Sequence, residues 1–186
     1  MIVLVGASAS GKTELANVLY NMYGYQKCVT TTTRSHRAHE SDGIDYHFLT
    51  QQAFKEKIKE NAFIEVTTYQ NHYYGLQKKD VKPKGIIILD PNGANALVKE
   101  MKALVFVCFV WCDEDIRSYR MANRGDHPKD IQKRIKEDRE IFKKEHLLKI
   151  DLMINNNSKS IEEQATFLHH AYQNYIKHKD VSPTNP

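Results

Sequence analysis

The most informative stretch of this sequence is Gly6-Ala7-Ser8-Ala9-Ser10-Gly11-Lys12-Thr13, which holds two glycines, four residues between them, and then a lysine and a threonine. Residues 2–5 before it form a short apolar run that suits a buried strand. Residues 14–23 after it place their apolar side chains on one face of a helix. Because strand, glycine-bearing loop and helix follow in this order, the stretch predicts a phosphate-binding loop.

Each residue type in this loop has a part in holding a polyphosphate. Glycines let the backbone curl so that successive N–H groups point at the anion, and the following helix directs its positive dipole end at the same place. Lys12 is expected to reach the β- and γ-phosphates of ATP, and the Thr13 hydroxyl is expected to ligate Mg²⁺. The predicted ATP site therefore includes the whole loop from Gly6 to Thr13.

Strand-like and helix-like segments alternate along most of the chain. The predicted strands span residues 2–5, 28–33, 45–49, 63–69, 72–74, 85–90, 104–111 and 152–154, and the predicted helices span residues 14–23, 51–61, 94–101, 130–149 and 161–178, with another helix after Asp113. This alternation predicts an α/β fold with a parallel sheet. The stretch from about residue 31 to 80 interrupts the rhythm and is interpreted as an inserted β-rich subdomain. Within it, the strands at residues 63–69 and 72–74 are expected to pair through a polar turn at Gln70 and Asn71.

The composition limits the class of protein. With 186 residues, 41% hydrophobic and 27% charged, the chain is typical of one globular domain without a need for disulfides. A net charge of +4 is a mild basic excess and is not by itself a nucleic-acid signature. The longest apolar run, residues 103–112, is far shorter than a membrane span of about 20 residues. Three cysteines, an odd number, indicate reduced thiols in a cytoplasmic protein. No basic region precedes the first apolar stretch, so a signal peptide is not expected.

Four residues after the loop suit a phosphate monoester. Arg34 and Arg37 offer planar donors for phosphate oxygens, and the hydroxyls of Tyr46 and Tyr74 complement them. Glu65 is a carboxylate in an otherwise apolar stretch and needs a polar partner. Guanine offers one, because its N1–H and N2 amine are adjacent donors that a carboxylate accepts in parallel.

Taken in order, these motifs resemble the guanylate kinase family of P-loop nucleoside monophosphate kinases. That family carries T-T-R-x-x-R-x-x-E-x-x-G-x-D-Y-x-F, which residues 32–48 match, then F-[IL]-E at residues 63–65 and Y-Y-G at residues 73–75. The resemblance covers roughly residues 1–178. It implies a three-layer P-loop fold with a parallel sheet, helices on both faces, an inserted acceptor-binding subdomain and a helical lid.

The resemblance also divides the chain. It implies a single domain over residues 1–178, whose core consists of residues 1–30, 76–119 and 135–178. The nucleoside-monophosphate-binding insertion is expected at residues 31–75 and the lid at residues 120–134. Residues 179–186 are expected to form a flexible tail.

An acceptor site for GMP is implied residue by residue. Its members are Thr30, Arg34, Arg37, Tyr46, Glu65, Tyr74 and Asp90. The two arginines and two tyrosines are expected to hold the GMP phosphate, Glu65 to read the guanine edge and Thr30 to approach O6. Asp90 is expected either to hold a water on Mg²⁺ or to orient an acceptor-site arginine.

The lid and donor residues follow from later motifs. Arg120 and Arg124 match the family's R-x-x-x-R-G segment, and Arg134 matches an arginine in the next helix. With Lys12, these arginines are the expected catalytic residues, which neutralise charge on the transferring phosphoryl group. Arg124 is also expected along the adenine of ATP, and Asn155 near the donor base.

The implied reaction transfers the γ-phosphoryl group of ATP to GMP or dGMP, giving ADP and GDP or dGDP, with Mg²⁺ as cofactor. The sequence departs from the family at Leu76, where a Ser or Thr is usual, at Ala9, where Gly is usual, and at residues 90–93, a shortened strand ending that lacks a second acid. These departures favour, as an alternative, a kinase of the same fold for another nucleoside monophosphate or a phosphorylated sugar. A non-catalytic binding domain is a third reading, against which the intact loop argues.

The expected partners are small-molecule nucleotides, without nucleic acid or membrane. The chain is expected to be a monomer or a homodimer.

Overall fold

The structure is a computed structural model that describes residues 1–37, 40–158 and 160–180. Nine strands and six helices are defined in this part of the chain. They are β1 (Ile2–Val5), α1 (Lys12–Tyr23), β2 (Gln26–Lys27), β3 (Thr30–Thr32), β4 (Tyr46–Phe48), α2 (Gln51–Lys59), β5 (Phe63–Tyr69), β6 (His72–Gln77), β7 (Gly85–Leu89), α3 (Pro91–Met101), β8 (Phe106–Trp111), α4 (Glu114–Asn123), α5 (Pro128–Ile141), β9 (Leu152–Asn155) and α6 (Ile161–Asp180).

Five strands form a parallel sheet in the order β2-β7-β1-β8-β9. Strand β1 lies at its centre, and all four of its residues are buried, because helices cover both faces of the sheet. Ile2 and Leu4 pack in one core with α1 and α6, whereas Val3 and Val5 pack in a second core with α3. The predicted three-layer α/β fold is confirmed.

A second sheet of four strands, in the order β4-β3-β6-β5, lies between β2 and β7 in the chain. Strands β5 and β6 form the predicted hairpin. Its turn residues Gln70 and Asn71 have φ values of 48° and 63°, as a tight two-residue hairpin turn requires. Helix α2 covers this sheet, with Phe54 stacked on Phe63 and Tyr73.

The structure corrects several predicted boundaries. The predicted helix at residues 130–149 is wrong beyond Ile141, because the chain turns back there to pack Phe142, Leu147 and Ile150 against the second core. The predicted strand at residues 28–33 is shorter in the structure, because only Thr30–Thr32 form a strand, β3. The preceding strand β2 ends at Lys27 and belongs to the other sheet. Helix α3 begins at Pro91 rather than at residue 94.

The C-terminal helix is longer than predicted. Helix α6 runs to Asp180, so the first two residues of the predicted tail are helical, and residues 181–186 lie outside the described residues. Over the described ranges, no helix combines the length and the apolar character needed to cross a membrane.

Candidate active site

The loop between β1 and α1 has a tightly constrained backbone. Ala9 and Gly11 have φ values of 60° and 94°, in the left-handed region that glycine adopts at no steric cost. A Cβ atom on Gly6 would lie 2.0 Å from the carbonyl oxygen of Val110 at the end of β8. A Cβ atom on Gly11 would lie 1.9 Å from Nδ2 of Asn156. The two glycines are therefore required by close approach, as well as by curvature.

The Lys12 ammonium group lies inside this loop. Its Nζ donates to the carbonyl oxygens of Gly6 and Ala7 at 2.7 and 2.8 Å. Burial of the ammonium group lowers the pKa of Lys12 to about 8, although the nearby Asp138 carboxylate opposes this shift. A polyphosphate in the loop would supply the negative charge that favours the protonated amine.

One cavity brings together predicted residues from both halves of the site. Among the predicted residues, its walls contain Gly6, Ser8, Lys12, Thr30, Arg34, Arg37, Tyr46, Tyr74, Asp90 and Arg134. The phosphate loop thus faces the arginines and tyrosines of the small sheet across a common space. The sequence did not single out Tyr69, which also lines this cavity from the end of β5.

The acceptor arginines are held by a shared carboxylate. Arg34 donates to both oxygens of Glu40 at 2.9 and 2.8 Å, and its guanidinium carbon lies 5.1 Å from the centroid of the Tyr46 ring. The Arg37 guanidinium lies 3.8 Å from the same carboxylate. Burial raises the pKa of Glu40, but hydrogen bonds from Arg34 and from the Arg37 amide outweigh it and lower the pKa. The carboxylate therefore stays charged and orients both cations.

Glu65, on β5, is 4% exposed and is not among the residues that line this cavity. Its Oε1 accepts a hydrogen bond from the Leu76 amide at 2.9 Å, whereas its Oε2 has no partner in the part of the chain that is described. Burial raises the pKa of Glu65 to about 8, and the neighbouring Asp90 carboxylate adds to this shift. A Cβ atom on Gly93 would approach Oε2 to 3.3 Å, so a residue with a side chain at this position would crowd the free oxygen.

The three arginines that the resemblance assigns to a lid contact two different groups. Arg124 donates to both oxygens of Asp126, and Arg134 lies 3.4 Å from the same carboxylate. Arg120 instead donates to the carbonyl oxygens of Ala9 at 3.2 Å and Asn156 at 3.0 Å. Arg120 therefore ties α4 to the phosphate loop, while Asp126 holds the other two arginines together. The sequence reasoning did not identify Asp126.

A second cavity adjoins the phosphate loop at Ala9 and Gly11. Its walls are formed by Ala9, Gly11, Glu14, Arg120, Asn123, Arg124, Asn156 and Ile161. The side chain of Asn155, which the sequence placed near the donor base, is exposed, and its Oδ1 accepts from the Asn157 amide. Asn156 lines the cavity instead and donates to the Ser10 carbonyl at 2.8 Å. Strand alternation from the buried Ile154 is the signal that could have found Asn156.

Two residues offer the oxygen ligands that Mg²⁺ prefers. Thr13 is exposed in the first turn of α1. Asp90 Oδ1 accepts from the amides of Asn92 and Gly93 at 2.8 and 3.0 Å, which fixes the orientation of its carboxylate. The residue types and their polar surroundings fit the ion.

A family model described as "Guanylate kinase" matches residues 1–175. A guanylate kinase of Onion yellows phytoplasma (strain OY-M) is 32% identical over 167 residues, which cover 84% of this chain and 78% of that protein. A guanylate kinase of Chlamydia trachomatis serovar D is 31% identical over 142 residues, or 72% of this chain and 68% of that protein.

A solved structure has the same fold. It is the guanylate kinase from Anaplasma phagocytophilum, with a TM-score of 0.72 and 22% sequence identity, and the match covers 94% of this chain and 84% of that one. At this identity the likeness concerns the fold alone.

Proposed function

This chain belongs to the guanylate kinase family, and on that premise we propose that it transfers the γ-phosphoryl group of ATP to GMP or dGMP. The observation that carries the proposal is the common cavity, in which Lys12 of the phosphate loop faces Arg34, Arg37 and Tyr74 of the small sheet. A donor phosphate and an acceptor phosphate would meet there. The products are ADP and GDP or dGDP.

The reaction needs positioning and charge neutralisation more than covalent chemistry from the protein. An oxygen of the GMP phosphate forms the new bond to the γ-phosphorus, and the bond from that phosphorus to the oxygen of the leaving ADP breaks. Lys12 neutralises charge on the donor phosphates, while Arg34 and Arg37 hold the acceptor phosphate. Arg134, which lines the same cavity, stabilises the charge that is spread over the transferring group.

Mg²⁺, when bound, supplies further neutralisation of the phosphate charge. Thr13 would ligate it directly, and Asp90 would hold it through a water. Arg120 stabilises the conformation of the phosphate loop, where ATP would bind, because it donates to the Ala9 carbonyl.

We attribute the choice of guanine to Glu65. Its Oε2 is buried and has no partner among the described residues, so the charged carboxylate can accept one donor of the guanine edge at Oε2 and the adjacent donor at the second lone pair of Oε1, which keeps its bond from Leu76. Adenine presents an acceptor at N1, whose lone pair would face the lone pairs of the charged carboxylate. We also expect Thr30, which lines the cavity, to approach O6.

Leu76 does not take over the role of the hydroxyl residue that the family usually has there. Its side chain is fully buried in the second core, and it contributes only its backbone amide, which donates to Glu65. Guanine recognition therefore depends more on Glu65 and Thr30 in this chain. We further propose that the protein works in the cytoplasm as a monomer or homodimer.

The test is ADP production from MgATP with a panel of acceptors: GMP, dGMP, AMP, CMP, UMP and a phosphorylated sugar. We expect turnover with GMP or dGMP at least 10³ times higher in kcat/KM than with AMP, on the order seen when a site hydrogen-bonds its substrate. Lys12→Ala should remain folded and lose about 3 kcal/mol or more of transition-state stabilisation. Highest activity with a different acceptor would favour the alternative kinase, and no activity with any acceptor would contradict phosphotransfer.

A further inference from the structure

A buried carboxylate on α5 links three segments of the active site. Asp138 has a fully buried side chain. Its Oδ2 accepts from the Ser8 amide of the phosphate loop at 2.7 Å and from Arg117 of α4 at 3.2 Å. Its Oδ1 accepts from the Tyr69 hydroxyl, at the end of β5, at 3.2 Å. Both carboxylate oxygens are thus satisfied by groups from separate parts of the chain.

Burial of the Asp138 carboxylate would destabilise the folded protein if any of its hydrogen-bond partners were missing. A buried carboxylate without compensation destabilises a protein strongly, and here Arg117, itself buried, supplies the compensating charge. Arg117 also reaches the Ser8 carbonyl at 3.4 Å. Ser8 is therefore held through both its amide and its carbonyl, which fixes the backbone at this point of the phosphate loop.

The position of Asp138 on its helix connects the loop to the lid. Arg134 lies four residues earlier on α5, so the two side chains project from the same face one turn apart. Asp138 is hydrogen-bonded to Ser8 and lies one helical turn from Arg134. The bond to Ser8 therefore fixes the distance between the phosphate loop and Arg134. Tyr69, at the end of β5, donates to Asp138 and so links the small sheet to the same carboxylate.

We propose that Asp138 is a positioning residue for phosphoryl transfer, which fixes the phosphate loop relative to Arg134 and to the acceptor-binding sheet. It acts through Ser8, Arg134 and Tyr69 and does not touch the substrates. This inference rests on the proposed function, because its main measurement is the rate of transfer from ATP to GMP. A displacement of about 1 Å between reacting groups can lower a rate about 10²-fold, so loss of this connection should appear in kcat.

Three variants test the proposal: Asp138→Asn, Tyr69→Phe and the two together. We expect Asp138→Asn to lower kcat about tenfold or more, with the KM for GMP changed less than about threefold. We expect Tyr69→Phe to lower kcat about three- to tenfold with an unchanged melting temperature. Because Tyr69 acts through Asp138, the double variant should be no slower than Asp138→Asn. Glu140→Gln is the matched control, since it removes an exposed acid of the same helix and should leave kcat unchanged.

A second measurement does not depend on turnover. The affinity for MgADP, measured by calorimetry, should fall about fivefold or more in Asp138→Asn, because the phosphate loop loses its fixed shape, and should stay within about twofold in Glu140→Gln. If the wild type made no ADP with GMP, the proposed function would fail while this measurement still tested the role of Asp138.

Two results would overturn the proposal. One is that the effects of Tyr69→Phe and Asp138→Asn on kcat multiply, which would mean that the two residues act independently. The other is that Asp138→Asn lowers only the melting temperature and leaves kcat and MgADP affinity within about twofold of wild type, as a purely structural ion pair would. If Asp138→Asn did not fold, an unchanged kcat in Tyr69→Phe would overturn the proposal and a lowered one would support it.

Discussion

At the scale of single residues, the most unusual feature is that Glu65 and Lys12 both have pKa values near 8. Burial favours the neutral form of both groups, and the proposed ligands would favour the charged form of both. The guanine edge favours the Glu65 carboxylate, and a polyphosphate favours the Lys12 ammonium ion. Substrate binding is therefore coupled to proton exchange. Glu65 releases a proton when guanine binds, and Lys12 retains or takes up a proton when a polyphosphate binds.

GMP affinity should consequently rise with pH. The folded-state pKa of Glu65 is raised to about 8, so below that pH the carboxyl is mainly protonated and must lose its proton to accept two hydrogen bonds from guanine. We expect the affinity for GMP to increase about tenfold from pH 7 to pH 9 and then to level off. Titration calorimetry across this range, in buffers of different ionisation enthalpy, measures both the affinity and the proton released.

Two variants are the controls for this prediction. Glu65→Gln should weaken GMP use about 10²-fold or more and remove the pH dependence, because the amide accepts only one of the two hydrogen bonds and does not titrate. Arg34→Ala should impair GMP and AMP alike, since it contacts phosphate and not base. A GMP/AMP ratio unchanged by Glu65→Gln would contradict the role assigned to this carboxylate.

At the scale of the elements, the turn between α4 and α5 places opposing charges side by side. Asp126 pairs with Arg124 and Arg134 at 23% side-chain exposure, and burial opposes the ion pairing that lowers its pKa. In a reaction complex, the phosphates would compete with Asp126 for both arginines. Asp126 is therefore expected to weaken anion binding while it limits the repulsion between the two guanidinium groups.

Asp126→Asn should increase the affinity for MgADP by a modest factor. Partly exposed ion pairs contribute about 0.2–1 kcal/mol, so we expect up to about a fivefold gain, which should shrink as salt is raised from 50 to about 500 mM. Calorimetric titration of both proteins at the two salt concentrations is the measurement. Glu140→Gln, with the same change in net charge, should show no gain. Equal affinities for wild type and Asp126→Asn at low salt would show that Asp126 does not compete with phosphate.

The elements also show which features the sequence could predict. Continuous apolar runs and the strand–loop–helix pattern identified β1, α1, β7 and the hairpin turn at residues 70–71, because local chemistry determines them. The end of α5 was not predicted, because residues 142–150 are charged enough to continue a helix. The helix ends only because Phe142, Leu147 and Ile150 pack against the second core. The role of Asp138 was hidden for the same reason, because its partners at positions 8, 69 and 117 meet only in three dimensions.

At the scale of the whole molecule, the residues proposed to bind the acceptor and the segment proposed to act as a lid, residues 120–134, belong to different parts of the chain. A cavity of about 730 Å³ separates them, with Arg37 and the β5–β6 turn on one side and residues 124–127 with the first turns of α5 on the other. The two sides already touch at one end, where Gln70 Nε2 lies 3.3 Å from Glu137 Oε2. This geometry leaves space for the two sides to close around the reacting phosphates.

Binding of both substrates should therefore bring the small sheet and the lid together. The phosphoryl group that Lys12 and Arg134 stabilise must meet the acceptor phosphate that Arg34 and Arg37 hold, and transfer requires that water be excluded from it. Spin labels at positions 55 on α2 and 129 on α5, both exposed, should move closer by several Å when GMP and a non-transferable ATP analogue are added together. Labels at positions 99 and 177, on the helices of the two core layers, serve as the fixed pair and should not move. Because closure is driven by contacts to both phosphates, either ligand alone should give a partial shift. Identical distance distributions with and without the two ligands would mean that the site reacts without closing, and that the separation seen here is already the reactive one.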